Sequence, residues 1–242
     1  MRKMFTNKTQ LRVQNVLALM MFTLFVVNQS YAQLTPRPIT TSNTQWGYYE
    51  YLPDGYNTRK NWPLLIALPG AGAGGDGSTD LHKVANRGPL RLVKNGSWPN
   101  VRPEQTDFVI VSPQSGGGFY NHSKLRNFIS QLKGIYDVDP ERIYIVGQSF
   151  GAESAWKYTS YYQDQVAAIV PIAGKGQMYV NCAMKDVPVW AFHGDNDGVV
   201  HVNGSIKPVG MINDCNPEHP AKLTIYPGVG HNSWDRTFNL NA

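Results

Sequence analysis

The sequence has 242 residues, with 22 Lys+Arg against 17 Asp+Glu for a formal net charge of +5, 23 Gly, 16 Pro and two Cys. A chain this long, 42% hydrophobic and only 16% charged, can bury a sizeable core, which excludes a disordered chain, and two cysteines are too few for a disulfide-stapled miniature scaffold. The positive balance invites a nucleic-acid partner, so the placement of the charges decides its meaning.

Residues 1–15 carry Arg2, Lys3, Lys8 and Arg12 and no acid, Val16–Val27 is apolar apart from Thr23, and Ser30 and Ala32 put small residues at the two positions a signal peptidase reads before Gln33. That order is the signature of a secretory signal peptide over residues 1–32. Twelve helical residues rise about 18 Å, short of a hydrocarbon core of about 30 Å, so no stable membrane anchor is expected and the mature chain is expected to be secreted or periplasmic. The four basic residues of this segment, taken from 22, leave 18 against 17 acids, a nearly neutral body. Its densest basic group, Lys83, Arg87, Arg91 and Lys94, is spaced like a solvated helix face, so no nucleic-acid partner is expected.

Residues 33–43 form a Pro/Thr/Ser-rich leader expected to be irregular, followed by one domain over 44–242. Trp46–Leu52 alternates like a half-buried antiparallel strand at a sheet edge, whereas Pro63–Leu68, Phe108–Val111, Ile143–Val146, Val166–Ile172, Val187–Phe192 and Leu223–Tyr226 are short apolar runs of buried strands. Between them the spacing predicts helices over His122–Tyr136, Phe150–Tyr162 and Asn203–Asn213; in the first, Leu125, Phe128, Ile129, Leu132, Ile135 and Tyr136 share one face. Strands alternating with helices imply an α/β fold with a mostly parallel central sheet and helices on both faces, whose chemistry collects at the carboxyl ends of the strands.

At those ends stand the candidates. Ile143–Val146 runs into Gly147-Gln148-Ser149-Phe150-Gly151 and then a helix, the G-x-S-x-G arrangement that exposes a serine nucleophile on a tight strand-to-helix turn. A serine hydroxyl needs a base and the base an orienting acid, here in the chain order Ser, Asp, His. The Val187–Phe192 strand ends in His193-Gly194-Asp195-Asn196-Asp197, and the Leu223–Tyr226 strand leads to Gly228-Val229-Gly230-His231. Ser149, Asp197 and His231 are therefore the candidate catalytic residues, with Asp195 the rival acid. His193 is expected to be a hydrogen-bonded packing residue. The glycine-rich loop Pro69–Gly77 lacks nucleotide-binding spacing and suits the second half of an oxyanion hole, with the Ala71 N–H beside that of Phe150. Gln148 and Trp234 are candidate substrate contacts, and neither a metal nor another cofactor is expected. Cys182 and Cys215 flank the segment holding Asp197 and are expected to pair as a disulfide in an exported chain.

With Leu68-Pro69-Gly70, Val111-Ser112-Pro113-Gln114, Val138–Tyr144, Gly147–Gly151, Trp190–Gly194 and Gly228–His231 in view, the sequence resembles secreted esterases of the α/β-hydrolase superfamily, the group that holds feruloyl and acetylxylan esterases, polyhydroxybutyrate-depolymerase-like enzymes and predicted peptidases. The resemblance runs from about Tyr49 to Phe238 and implies an α/β-hydrolase fold and the same Ser149, Asp197 and His231. It departs from the group in having Pro69 where His is usual, Ala152 where a second glycine is usual, and eleven residues after His231 where a closing C-terminal helix is expected to be missing. The function implied is hydrolysis of carboxylic esters of small molecules, carbohydrates or polyesters through an acyl-enzyme. The alternatives are a serine peptidase on short peptides and a non-catalytic carbohydrate-binding protein that kept the fold.

Overall fold

The computed structural model describes residues 33–98 and 108–238. The expected signal peptide lies outside the described residues. Eight strands form one sheet: β1 (Gln33–Arg37), β2 (Tyr48–Leu52), β3 (Trp62–Leu68), β4 (Val109–Pro113), β5 (Val138–Gln148), β6 (Ala168–Ile172), β7 (Trp190–Gly194) and β8 (Lys222–Tyr226), in the order β1-β2-β4-β3-β5-β6-β7-β8. β1 and β2 pair antiparallel and β2 joins β4 antiparallel; all other pairings are parallel. Between them lie helices α1 (Ile39–Ser42), α2 (Gly88–Lys94), α3 (His122–Ile135), α4 (Phe150–Tyr161) and α5 (Asn203–Asn213), and the short α6 (Trp234–Thr237) follows β8.

The near-continuous apolar runs follow from burial on two faces. Along β3, Leu64, Ile66 and Leu68 face a core shared with Leu125, Phe128 and Leu132 of α3, Trp156 and Tyr158 of α4 and Ile212 of α5. Ala67 faces the opposite way, into a core with Leu90 of α2, packed by Trp234 and Phe238. α3 starts where the periodicity places it, because the Asn121 side chain accepts the Ser123 and Lys124 amides at 3.1 Å each. Ile135, expected on the buried face, is 48% exposed, since the helix ends there and the chain turns toward β5.

The leader departs from its expected irregularity. Gln33–Arg37 is a strand whose residues register from Gln33 opposite Leu52 to Arg37 opposite Tyr48, so β2 is not the sheet edge. Pro36 is tolerated because an edge strand need not donate on its outer side. The physical cause lies in β2: Glu50 is only 1% exposed, and Arg37 supplies its counter-charge at 2.5 Å while the Tyr136 hydroxyl donates to its other oxygen. A buried carboxylate needs such partners. Burial, together with the adjoining Glu50, pushes the Tyr136 phenol far above its ordinary value.

At the far end of the sheet, Cys182 and Cys215 are joined, with 5.4 Å between their Cα atoms. The bridge ties the 3-10 turn Cys182–Met184, before β7, to the end of α5. The segment carrying Asp197 is thus clamped on both sides.

Candidate active site

β3, β5, β7 and β8 bring their carboxyl ends to one edge, and each is followed by a candidate group. Ser149 joins β5 to α4 with φ 52° and ψ −117°, a backbone conformation that a side-chain-bearing residue adopts only when its surroundings over-determine it. Those surroundings are backbone. A Cβ on Gly151 would lie 1.9 Å from the Leu68 carbonyl oxygen, and one on Gly147 would lie 2.3 Å from that of Gly151. Only glycine lets β3, the turn and α4 approach so closely. Ala152, where the resembled group has glycine, fits because Gly174 stands opposite; a Cβ there would come within 2.4 Å of the Ala152 methyl.

Ser149 Oγ donates to His231 Nε2 at 2.9 Å, and His231 Nδ1–H donates to Asp197 Oδ2 at 2.8 Å. The tautomer follows from the partners: a carboxylate can only accept at Nδ1, which leaves Nε2 unprotonated toward the hydroxyl. The three sequence-predicted residues are therefore in one hydrogen-bonded chain. Asp195 points elsewhere, accepting the Gly228 amide at 2.7 Å. It fixes the turn that carries His231 rather than the imidazole itself.

Asp197 is buried and fully engaged. Its Oδ1 accepts the Val199 and Val200 amides at 2.9 Å each, while Oδ2 is shared between His231 and, at 3.1 Å, His193 Nε2. Burial alone would raise its pKa, but hydrogen bonds from His231, Val200 and Val199 outweigh it and hold the carboxyl below its ordinary value. His193 packs as expected, 0% exposed, but with an unforeseen partner. Its Nε2 faces two acceptors, Asp197 Oδ2 and the Val200 carbonyl at 2.9 Å, so Nε2 carries the proton and Nδ1 accepts from the Ser205 hydroxyl at 2.7 Å. Burial lowers the His193 pKa, and the nearby acceptors only partly offset this, so the ring is held neutral. The acid thus sits between two imidazoles, one exposed to the serine and one sealed in the core.

The glycine-rich loop closes the opposite wall. A Cβ on Gly70 would lie 3.1 Å from Ser149 Cβ, which puts the start of the 3-10 turn Ala71–Ala73 beside Ser149. Phe150 opens α4, so its amide is one of the helix-start donors without an intrahelical partner. Gln114, quoted in the resemblance but given no role from sequence, fastens this loop. Its 1% exposed side chain accepts the Gly77 amide at 2.9 Å and donates to the carbonyls of Ala73 at 3.0 Å and Asp80 at 2.9 Å. A glutamine just past the apolar run of β4, with a glycine-rich loop elsewhere in the chain in need of anchoring, is the signal the sequence carries.

Gln148 takes a different place from the substrate contact expected of it. It is 5% exposed, and its amide oxygen lies toward Gly88, beside Phe238, on the α2 side of the sheet. Gln148 is the last residue of β5 and its side chain turns inward, whereas Ser149 lies on the turn that follows. Trp234 packs edge to face with His231, ring centroids 5.1 Å apart at 83°, while the rest of it joins the core that Phe238 also covers.

The profile of a family described as phospholipase/carboxylesterase matches residues 118–240. A bifunctional acetylxylan esterase/xylanase of Neocallimastix patriciarum is 26% identical over 182 residues, 71% of this chain, and the chain spans a quarter of that relative's length. Among solved structures, a thermostable esterase superposes with a TM-score of 0.68 at 25% identity, covering 85% of this chain and 60% of the other. A ferulic acid esterase does so with a TM-score of 0.64 at 19% identity over 87% and 94% of the two chains.

Proposed function

This chain belongs to the phospholipase/carboxylesterase family of α/β-hydrolases, and from that premise we propose that it is an exported serine esterase acting on carboxylic esters of carbohydrates or polyesters. The observation that carries the reading is the unbroken chain from Ser149 Oγ through His231 to a buried, ionised Asp197. The similarity to an acetylxylan esterase/xylanase and to a ferulic acid esterase favours the carbohydrate side.

In the proposed reaction Ser149 Oγ attacks the ester carbonyl carbon as its proton passes to His231 Nε2. Asp197 steadies the resulting imidazolium, and the Phe150 and Ala71 amides hold the oxyanion, a donor pair of a kind worth about a hundred-fold or more per donor. The tetrahedral centre collapses, His231 protonates the departing alcohol oxygen, and the acyl group stays on Ser149. A water that gives its proton to His231 then attacks the acyl-enzyme and releases the acid, restoring the serine. Trp234, against the imidazole edge, keeps the ring from swinging out as it gains charge.

Export is supported by the Cys182–Cys215 bridge and by the basic, apolar and small-residue order of residues 1–32. Cleavage before Gln33 leaves β1 whole. Among the described residues no helix is long and apolar enough to cross a membrane. The test is a 4-nitrophenyl ester series set beside aminoacyl-4-nitroanilides. Turnover of the esters, abolished by Ser149→Ala, with no release from the anilides is the expected result. Anilide cleavage at comparable efficiency would make the protein a peptidase instead.

A further inference from the structure

One groove lies beyond the proposed chemistry yet begins at its edge. A cavity of about 220 Å³ runs between the outward side of α4, the loop before α3 and the loop after β6, lined among others by Phe119, Asn121, Glu153, Lys157 and Tyr179. It adjoins the nucleophile through two contacts. The Phe119 ring lies against that of Phe150, tilted by 45° with centroids 4.2 Å apart, and the Glu153 amide donates to the Ser149 carbonyl at 3.0 Å, one helical turn along α4. Its floor is fixed: Ser154 Oγ donates to the Phe150 carbonyl at 2.7 Å and accepts the Tyr120 amide at 2.9 Å.

The walls combine an aromatic ring, a phenol, an amide and two opposite charges. Phe119 is 52% exposed although it sits between a buried tyrosine and the elbow. The Tyr179 hydroxyl donates to Glu153 Oε1 at 2.8 Å, and the Lys157 ammonium lies 5.5 Å from the centre of the Tyr179 ring. Burial and the neighbouring carboxylate push the Tyr179 phenol up to about 12, so it remains a donor throughout the working range. Glu153 thus meets Tyr179 through Oε1, and Lys157 meets the face of the same tyrosine.

These groups discriminate among ligands. An acyl chain or a polyester segment would strip water from a carboxylate and an ammonium and return nothing to either. An anion or a cation would meet one matching and one opposing charge in the same wall, a net charge of zero. An uncharged polyol offers both donors and acceptors to Glu153, Lys157 and Asn121 and presents a C–H face to an exposed ring. The volume, below the roughly 300 Å³ at which drug-sized pockets begin, suits one such unit at a time. Resting on the esterase reading of Ser149, we propose that this groove on α4 is the subsite for a neutral sugar residue in the alcohol half of the ester.

The test separates binding from chemistry. Calorimetry on the full chain carrying Ser149→Ala uses unesterified xylotetraose as probe, with a 3-hydroxybutyrate trimer as the polyester control. Xylotetraose is expected to bind, and Glu153→Ala or Phe119→Ala in that background should each weaken it about tenfold, the effect of losing one hydrogen bond to a charged group or one stacking face. In the protein with Ser149 intact, Glu153→Ala should raise KM for acetylated xylotetraose by the same factor and leave kcat/KM for 4-nitrophenyl acetate within about twofold, since alanine keeps the helix at that half-buried position and the small ester does not reach the groove. Xylotetraose affinity unchanged by both substitutions, equal losses on both esters, or tighter binding of the hydroxybutyrate trimer would each overturn the sugar subsite. Glu153-dependent xylotetraose binding by a protein that cleaves no ester would support the subsite and contradict the esterase reading alone.

Discussion

The serine and the acid–base pair meet within one hydrogen-bonded chain, yet the two halves of the site are held in different ways. The elbow is fixed by contact: Gly147 and Gly151 let backbones approach to distances at which any side chain would collide, Gly70 lies close against the Ser149 side chain, and Ser149 is held at positive φ. The arm carrying Asp197 and His231 is fixed by hydrogen bonds. Asp197 accepts from two amides and two imidazoles, Asp195 accepts the Gly228 amide, and the Asn196 amide donates to the Val229 carbonyl at 3.1 Å. For the proposed reaction this means a nucleophile held rigid before the substrate arrives, and an acid and base in a network that can carry a moving proton and still hold its geometry.

That contrast can be broken from either side. The largest effect is expected in the hydrogen-bonded arm. Asp197→Asn should lower kcat by about ten-thousand-fold, through the wrong imidazole tautomer, with little change in folding. Asp195→Asn, which keeps an acceptor for Gly228, should stay within about threefold of the parent in ester kinetics. Equal losses from the two would reassign the acid. In the contact-held elbow the expected damage is to the fold. Gly151→Ala must displace β3 or α4 and should destabilise by about 3 kcal/mol or more in urea melts, whereas Gly228→Ala, with φ 70° and open space around it, should cost only about 1 kcal/mol. A mild Gly151→Ala would show that the elbow yields.

His193 sharpens the comparison with a pH signature. Burial holds its pKa in the fold below the ordinary 6.5, so as pH falls the unfolded chain takes up the proton first. Its contribution is therefore fully present above about pH 6.5 and is lost as pH falls from there toward the folded-state value. Asp197, also depressed, acts in the same direction at lower pH, below its ordinary 3.8. His193→Gln, which retains a donor for Asp197 and does not titrate, should flatten the fall in stability just below pH 6.5 and keep most activity. His193→Leu should flatten it too but lose roughly tenfold in kcat, because Asp197 loses a donor and the Ser205 hydroxyl its acceptor. Urea midpoints across that window and ester kinetics check both; an unchanged slope in either variant would remove His193 from the titration.

The same division explains what could be read in advance. Steric demands leave glycines in the sequence, so the elbow and its serine were legible, as were strands buried on both faces and the Asp–His order at their ends. Hydrogen-bonded support leaves weaker marks. Nothing in His193-Gly194-Asp195-Asn196-Asp197 tells which aspartate turns inward or that His193 shares an oxygen with His231, because both depend on how the turn closes over Ser205 and Val200. β1 was hidden for a related reason: Pro36 and the polar residues around it show no buried alternation, and what recruits the strand is a carboxylate, Glu50, in another strand. The burial of Gln148 on the α2 side was not legible either, because its position beside Ser149 says nothing of which way its side chain turns.

The central claim is that Ser149 is an activated nucleophile, and a fluorophosphonate probe tests it most directly. The protein should be labelled at a single site, mapped by peptide mass to the segment containing Ser149. Labelling should vanish in Ser149→Ala and slow by several orders of magnitude in Asp197→Asn. Labelling of Ser149→Ala at the rate of the parent protein would contradict the account.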